Sequence, residues 1–247
     1  MRYKKVQFKN NYGKNGIPRK TFTCLKVKIK TTDDWFKKIC SCALEIEDRL
    51  NAGQANTSEQ RSDIIVRTDN LSGLIAEYCC EQVLKNLFNI KTCKPSLNTS
   101  YNQIDILVGK TNKTVEVRSS CVRNGIEFAL FAKNLNKSDE QYIDVIGPYK
   151  NNYKPGEIEK DYYMRVIYPF EKKNFLNKIQ RPVLEFYVTG GATKSMMQDP
   201  SIRLLKHMKP AGGEVKFESD YIVIPLGESL DYLEFKKKIL QDLGDME

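Results

Sequence analysis

Residues 71–87 carry apolar side chains at three- and four-residue spacing: Leu71, Leu74, Ile75, Tyr78, Cys79, Val83, Leu84 and Leu87. That period predicts an amphipathic helix with one buried face. Two short apolar runs follow at 104–108 and 114–118, joined by the Gly- and Asn-bearing pentapeptide GKTNK. Runs of this length with such a connection predict a hairpin. A helix with one apolar face needs a sheet or another helix to cover it, so helix followed by hairpin points to layered α/β structure.

The rest of the chain continues the pattern. Residues 10–20 read as loop and residues 21–30, TFTCLKVKIK, as an alternating strand. Thr32 or Asp33 stands where it would cap a helix over 35–50, whose stripe is Phe36, Ile39, Cys40, Ala43, Leu44 and Ile46. Polar residues 51–63 predict a loop. After the hairpin come a helix at 126–135, a strand at 142–146, a long loop at 147–157 and strands at 162–168 and 183–188. A short helix at 202–208, a strand at 221–224 and a closing amphipathic helix at 230–243 complete the chain. The order predicts a single α/β domain over 1–247, with a mixed sheet flanked by helices. Within it lie a basic N-terminal arm at 1–30, a core at about 65–190 and a C-terminal portion at about 190–247 for packing or partner contact.

Several function classes are disfavoured. Apolar clusters recur along all 247 residues, and a 10% aromatic content argues against disorder. No run approaches the roughly 18 apolar residues of a membrane span, and the basic N-terminus has no apolar signal core. Seven cysteines without a paired framework suit a reducing, cytoplasmic setting in which they serve as small buried apolar residues. With one histidine, His207, and no paired CxxC, neither a zinc site nor a Ser–His–Asp triad is expected.

The net charge of +9 is concentrated in one segment: the first 30 residues hold ten Lys or Arg and no Asp or Glu. The other residues are nearly balanced. A basic segment attracts phosphate backbones or an anionic membrane face, and is equally consistent with a solvated terminus.

Acids and a base fall in order along the helix and hairpin. Glu77 lies in SGLIAEYCCEQVL, Asp105 in YNQIDILV, and Glu116 and Arg118 in TVEVRSS. Residues two apart on a strand share a face, so Glu116 and Arg118 project together, and Asp105 meets them if the register sets it opposite. Carboxylates converging without histidine suit a hard cation such as Mg²⁺. The arrangement Glu77, Ile104-Asp105, Glu116-Val117-Arg118 resembles the PD-(D/E)xK nuclease superfamily, which includes most type II restriction endonucleases. The resemblance covers about residues 70–146. It departs from the pattern at Ile104, where proline is usual, and at Arg118, where lysine is usual. Arginine supplies the positive charge but stays protonated, so it cannot act as a base; Lys133 is the alternative lysine.

The resemblance implies a restriction-endonuclease-like fold in which Asp105, Glu116 and the Val117 carbonyl hold Mg²⁺. It implies that Glu77 orients a water or shares a second ion. The activity implied is sequence-specific cleavage of double-stranded DNA, with a homodimer and a separate cognate DNA methyltransferase as partners. The alternatives are a repair or junction-resolving nuclease, a non-catalytic DNA-binding protein of the same fold, and an interaction module whose basic arm binds an acidic protein. Candidate DNA contacts are Lys133, Lys150, Lys154, Lys194, Arg203 and Lys206. Lys194 lies in TGGATKS, which reads as a turn opening a helix. Lys150 and Lys154 lie in the loop GPYKNNYKPGEIEKDYY, where Tyr149, Tyr153 and Tyr162 interleave with Lys150, Lys154 and Lys160.

Overall fold

A computed structural model describes residues 1–9, 21–47, 62–94, 104–110, 112–131, 142–150, 158–208 and 219–244. In chain order the elements are β1 (Arg2–Lys9), β2 (Thr21–Lys30), α1 (Asp34–Glu47), α2 (Asp63–Asn86), β3 (Thr92–Cys93), β4 (Ile106–Val108) and β5 (Lys113–Cys121). They continue as α3 (Gly125–Phe131), β6 (Val145–Lys150), β7 (Tyr162–Tyr168), α4 (Phe175–Ile179), β8 (Val183–Thr193) and α5 (Lys194–Gln198). The last are β9 (Leu204–Met208), β10 (Ser219–Ile224), β11 (Leu230–Asp231) and α6 (Tyr232–Gly244). This is an α/β fold with a mixed sheet flanked by helices, as expected from the sequence.

The main sheet runs β1-β2-β8-β7-β5-β4-β3, with β11 paired to β8. All its ladders are antiparallel except β5 with β7. A parallel pair needs a crossover, and α3 lies in the chain between the two strands. One face of the sheet carries Val27, Ile29, Val115, Val117, Met164, Val166 and Phe186, covered by Ile75, Cys79, Val83 and Leu84 of α2 and by Phe235 and Ile239 of α6. The other face carries Phe22, Cys24, Tyr163, Ile167 and Ala192, against Ile126 and Leu130 of α3 and Ile224 of a second sheet, β6-β10-β9.

Where the structure departs from the expected elements, the causes are local. The basic arm is not a free arm: β1 and β2 form a hairpin, and β2 docks on β8 from Leu25↔Val188 to Lys30↔Val183. The arm's lysines are placed by this pairing, with Lys26 and Lys28 both salt-bridged to Glu185 of β8. Helix α2 begins at Asp63, eight residues before the apolar stripe starts. Its first turns bury Thr68, and Thr68 Oγ1 bonds back to the Ile64 carbonyl at 2.7 Å, so a hydroxyl residue occupies a core-facing position that apolar counting misses. The loop expected at 147–157 starts later, because β6 takes in residues through Lys150. Residues 204–208 form strand β9 rather than a helix; five residues with two leucines fit either state, and pairing with β10 decides.

TGGATKS is no turn either. Strand β8 runs straight through it, and only Lys194 opens α5. Its glycines answer to packing. A Cβ on Gly191 would lie 1.9 Å from the Tyr163 carbonyl oxygen of β7, and one on Gly190, at φ +115°, would lie 2.3 Å from the Leu230 carbonyl oxygen of β11. These are backbone contacts that nothing but glycine permits.

Candidate active site

The hairpin register brings the acids together. Ile106 pairs with Val115, so Asp105, one residue before β4, falls opposite Glu116 of β5. The Val117 amide donates to Asp105 Oδ2 at 2.6 Å, which holds the carboxylate across the end of the ladder. Glu116 and Arg118, two apart on β5, pair directly: Arg118 Nε lies 2.8 Å from Glu116 Oε1. The other oxygen, Glu116 Oε2, is buried and has no hydrogen-bond partner among the described residues. Glu77 reaches the same region from α2, which packs on β5. It is half-buried, and its charge acts on Asp105.

The electrostatics record the crowding. Burial pushes the Glu77 carboxyl up to about 7; Glu116 pushes the same way, and Lys94 and Arg118 oppose. Asp105 is raised well above the ordinary carboxylate range, first by burial and then by Glu116 and Glu77, against the Val117 amide and Arg118. Like charges held close in a poorly hydrated site retain protons. Arg118 is the cation that partly offsets them, and its side chain is 35% exposed while that of Glu116 is 8%. The guanidinium thus lies nearer to solvent than the Glu116 carboxylate it pairs with.

Whether these groups suit Mg²⁺ is decided by the donor set. Two adjacent carboxylates, one with a buried oxygen lacking any donor, and a third carboxyl nearby are hard oxygen ligands short of positive charge. Among the described residues, however, no group of three His, Cys, Asp or Glu already stands in position to hold an ion. Asp105 Oδ2 is held by the Val117 amide and Glu116 Oε1 by Arg118, so the second oxygen of each carboxylate is the one an ion would meet first.

Of the other expected site residues, Lys133 and Lys154 lie outside the described residues, and Lys150 lies on β6. Lys194 is paired with Glu159 at 3.2 Å, and Lys206 of β9 with the buried Asp144. Arg203, half-buried, precedes β9. Lys160 is buried rather than presented to a partner. Of the basic side chains foreseen as DNA contacts, Lys194 and Lys206 are thus engaged with acids of the fold.

Sequence reasoning missed Arg165 of β7, which pairs in register with Arg118. It is fully buried, and its Nη2 donates to Ser120 Oγ at 2.8 Å and to the Tyr142 carbonyl at 2.5 Å. The available signal was one charged residue inside YYMRVIY, a run whose seven residues are all buried. Compared with protein families, with curated proteins and with solved structures, the chain gives no match.

Proposed function

We propose that this chain is a Mg²⁺-dependent endonuclease that hydrolyses phosphodiester bonds of double-stranded DNA. The observation that carries the reading is the meeting of Asp105, Glu116 and Arg118 across the β4–β5 hairpin, with Glu77 brought up by α2. Isolated surface acids would be hydrated and would not hold their protons above the ordinary range. The resemblance to the PD-(D/E)xK superfamily assigns these same positions.

In this reading Asp105, Glu116 and the Val117 carbonyl hold the ion. Bound Mg²⁺ supplies Lewis acidity and a water of lowered pKa. Glu77, whose carboxyl titrates at about 7, accepts or returns a proton at neutral pH. Arg118 turns its guanidinium to the phosphate, where a planar fork offsets charge that builds on the oxygens. It takes no proton, so general-base work falls to the carboxylates.

Sequence-specific restriction is the particular activity we favour over repair or junction resolution. Support comes from the large C-terminal half, where β9 and β10 join β6 in a second sheet. A homodimer on a two-fold target and a separate methyltransferase belong to that activity. The second reading is a non-catalytic DNA-binding protein, favoured by the Glu116–Arg118 pair that neutralises the site.

The test is incubation with a long defined duplex, with and without Mg²⁺, beside Asp105→Asn. Discrete fragments that require Mg²⁺ and vanish in the variant are expected, and mapping their ends gives the target. Tight binding with no cleavage in any divalent ion would leave the binding-protein reading.

A further inference from the structure

The guanidinium of Arg165 presents a physical problem. It is wholly buried, yet among the described residues its Nε and Nη1 have no hydrogen-bond partner, whereas buried donors are nearly always satisfied. Its neighbour across the parallel ladder is another arginine, Arg118, whose charge disfavours it. The carboxylate closest in influence, Asp144, is itself paired with Lys206. Burial lowers the guanidinium to about 9, and this loss is only partly opposed by Asp144. Two positive groups side by side on neighbouring strands, the exposed one shared with Glu116 and the buried one without an ion pair of its own among the described residues, are stabilised when a further anion comes to the exposed one.

Geometry says which groups would meet that anion. Glu116, Arg118 and Ser120 alternate along β5 and so share one face, and registered neighbours on parallel strands lie side by side. Arg118 and Ser120 are half-exposed; Arg165 lies beside them on β7, fully buried, and donates to the Ser120 hydroxyl oxygen. It also grips the chain ahead of β6 through the Tyr142 carbonyl, fixing the back of the face.

We propose that Arg118 and Ser120 are the contacting groups of an anion seat, that Arg165 is its positioning residue, and that the anion is a phosphate of the nucleic-acid backbone. The proposal rests on the nucleic-acid reading above and adds to it a phosphate-recognition role that does not require the metal. Arg165 acts through Arg118: its charge on the neighbouring strand favours an anion at Arg118, and its bond to Ser120 directs the hydroxyl.

The experiment compares the full chain with Arg165→Met, Arg165→Lys and Ser120→Ala, without divalent ions. Binding of a short duplex is read by fluorescence anisotropy over a salt series, binding of inorganic phosphate by thermal shift, and Mg²⁺ binding by a separate thermal shift. Arg165→Met is expected to weaken duplex and phosphate binding about tenfold while leaving the Mg²⁺ shift undiminished, since it removes a positive charge. Arg165→Lys should restore part of the loss, and Ser120→Ala should weaken binding by a few-fold with folding unaltered. A parallel loss of duplex, phosphate and Mg²⁺ binding in Arg165→Met would mark a merely structural residue and overturn the proposal. Unchanged phosphate binding in Ser120→Ala would overturn it even if the methionine variant did not fold. Failure of the unsubstituted chain to bind any duplex would instead overturn the nucleic-acid reading beneath it.

Discussion

Glu77 shows how a side chain can oppose folding and still be retained. Its carboxyl titrates at about 7 in the fold against an ordinary 4.5, so the folded state holds the proton more tightly than the unfolded chain. The contribution to stability is therefore full below about 4.5 and is lost as pH rises through about 7. Glu77→Gln should leave thermal stability near unchanged at pH 4.5. At pH 8 it should raise stability by up to about 3 kcal/mol, checked by scanning calorimetry at the two pH values. Cleavage, measured beside it, should fall by at least about 100-fold, as for loss of a general base. Gain of stability with loss of activity is the signature of a functional group. Arg118 invites the opposite substitution. Arg118→Lys should keep most of the activity and Arg118→Met should lose it, because the charge is needed at the phosphate. A methionine variant as active as the parent would remove Arg118 from the chemistry.

At the scale of elements, the junction of β7, β8 and β11 is the least tolerant part of the fold. Gly191→Ala would drive a methyl group into the Tyr163 carbonyl, on the strand that bears Arg165. It should destabilise by about 3 kcal/mol or more, seen as a lowered urea midpoint. Asp161 is a second pin: it accepts from the Thr114 amide at 2.9 Å and the Thr114 hydroxyl at 2.8 Å, tying the start of β5 to that of β7. Asp161→Ala should cost about 1–3 kcal/mol by leaving the Thr114 donors unmet, and hydrogen exchange should rise first in β5. These contacts were not legible in the sequence, since they join segments about fifty and thirty residues apart by backbone proximity, which leaves no periodic trace. What was legible followed from period: the bounds of β7 agree with the expected 162–168, and the hairpin set Asp105 opposite Glu116. The lysine-rich β1 escaped notice because its solvated edge position removes the alternation of a half-buried strand. Arg165 escaped because its meaning depends on which strand lies beside it.

For the molecule as a whole, the basic charge and the acidic site lie apart. Strand β1 stands four places from β5 in the sheet order, roughly 19 Å at ordinary strand spacing. Lys4, Lys5 and Lys9 are exposed along that outer strand. Lys4 falls in one row with Ser120 through Lys26, Tyr187 and Ile167 and so shares the face of Arg118, whereas Lys5 and Lys9 turn to the other face. A duplex seated at Arg118 and continuing toward β1 would bring a further phosphate to Lys4. Lys4→Gln should flatten the plot of log affinity against log salt by about 1, with the Mg²⁺ shift unaltered. An unchanged slope, with new self-association, would instead make Lys4 a guard of an open strand edge. Among the described residues no helix is long and apolar enough to cross a membrane.

The docking of β2 on β8 also sets a timetable for the chain as it is made. At about 5–20 residues per second, the ribosome takes roughly ten to thirty seconds to cover the about 150 residues between Lys30 and Val183. For that interval the first hairpin has no sheet to join, and its inner strand, with Leu25, Val27 and Ile29, meets water or a chaperone. The lysines that alternate with them in TFTCLKVKIK keep that waiting strand in solution, whatever they later do for a bound partner.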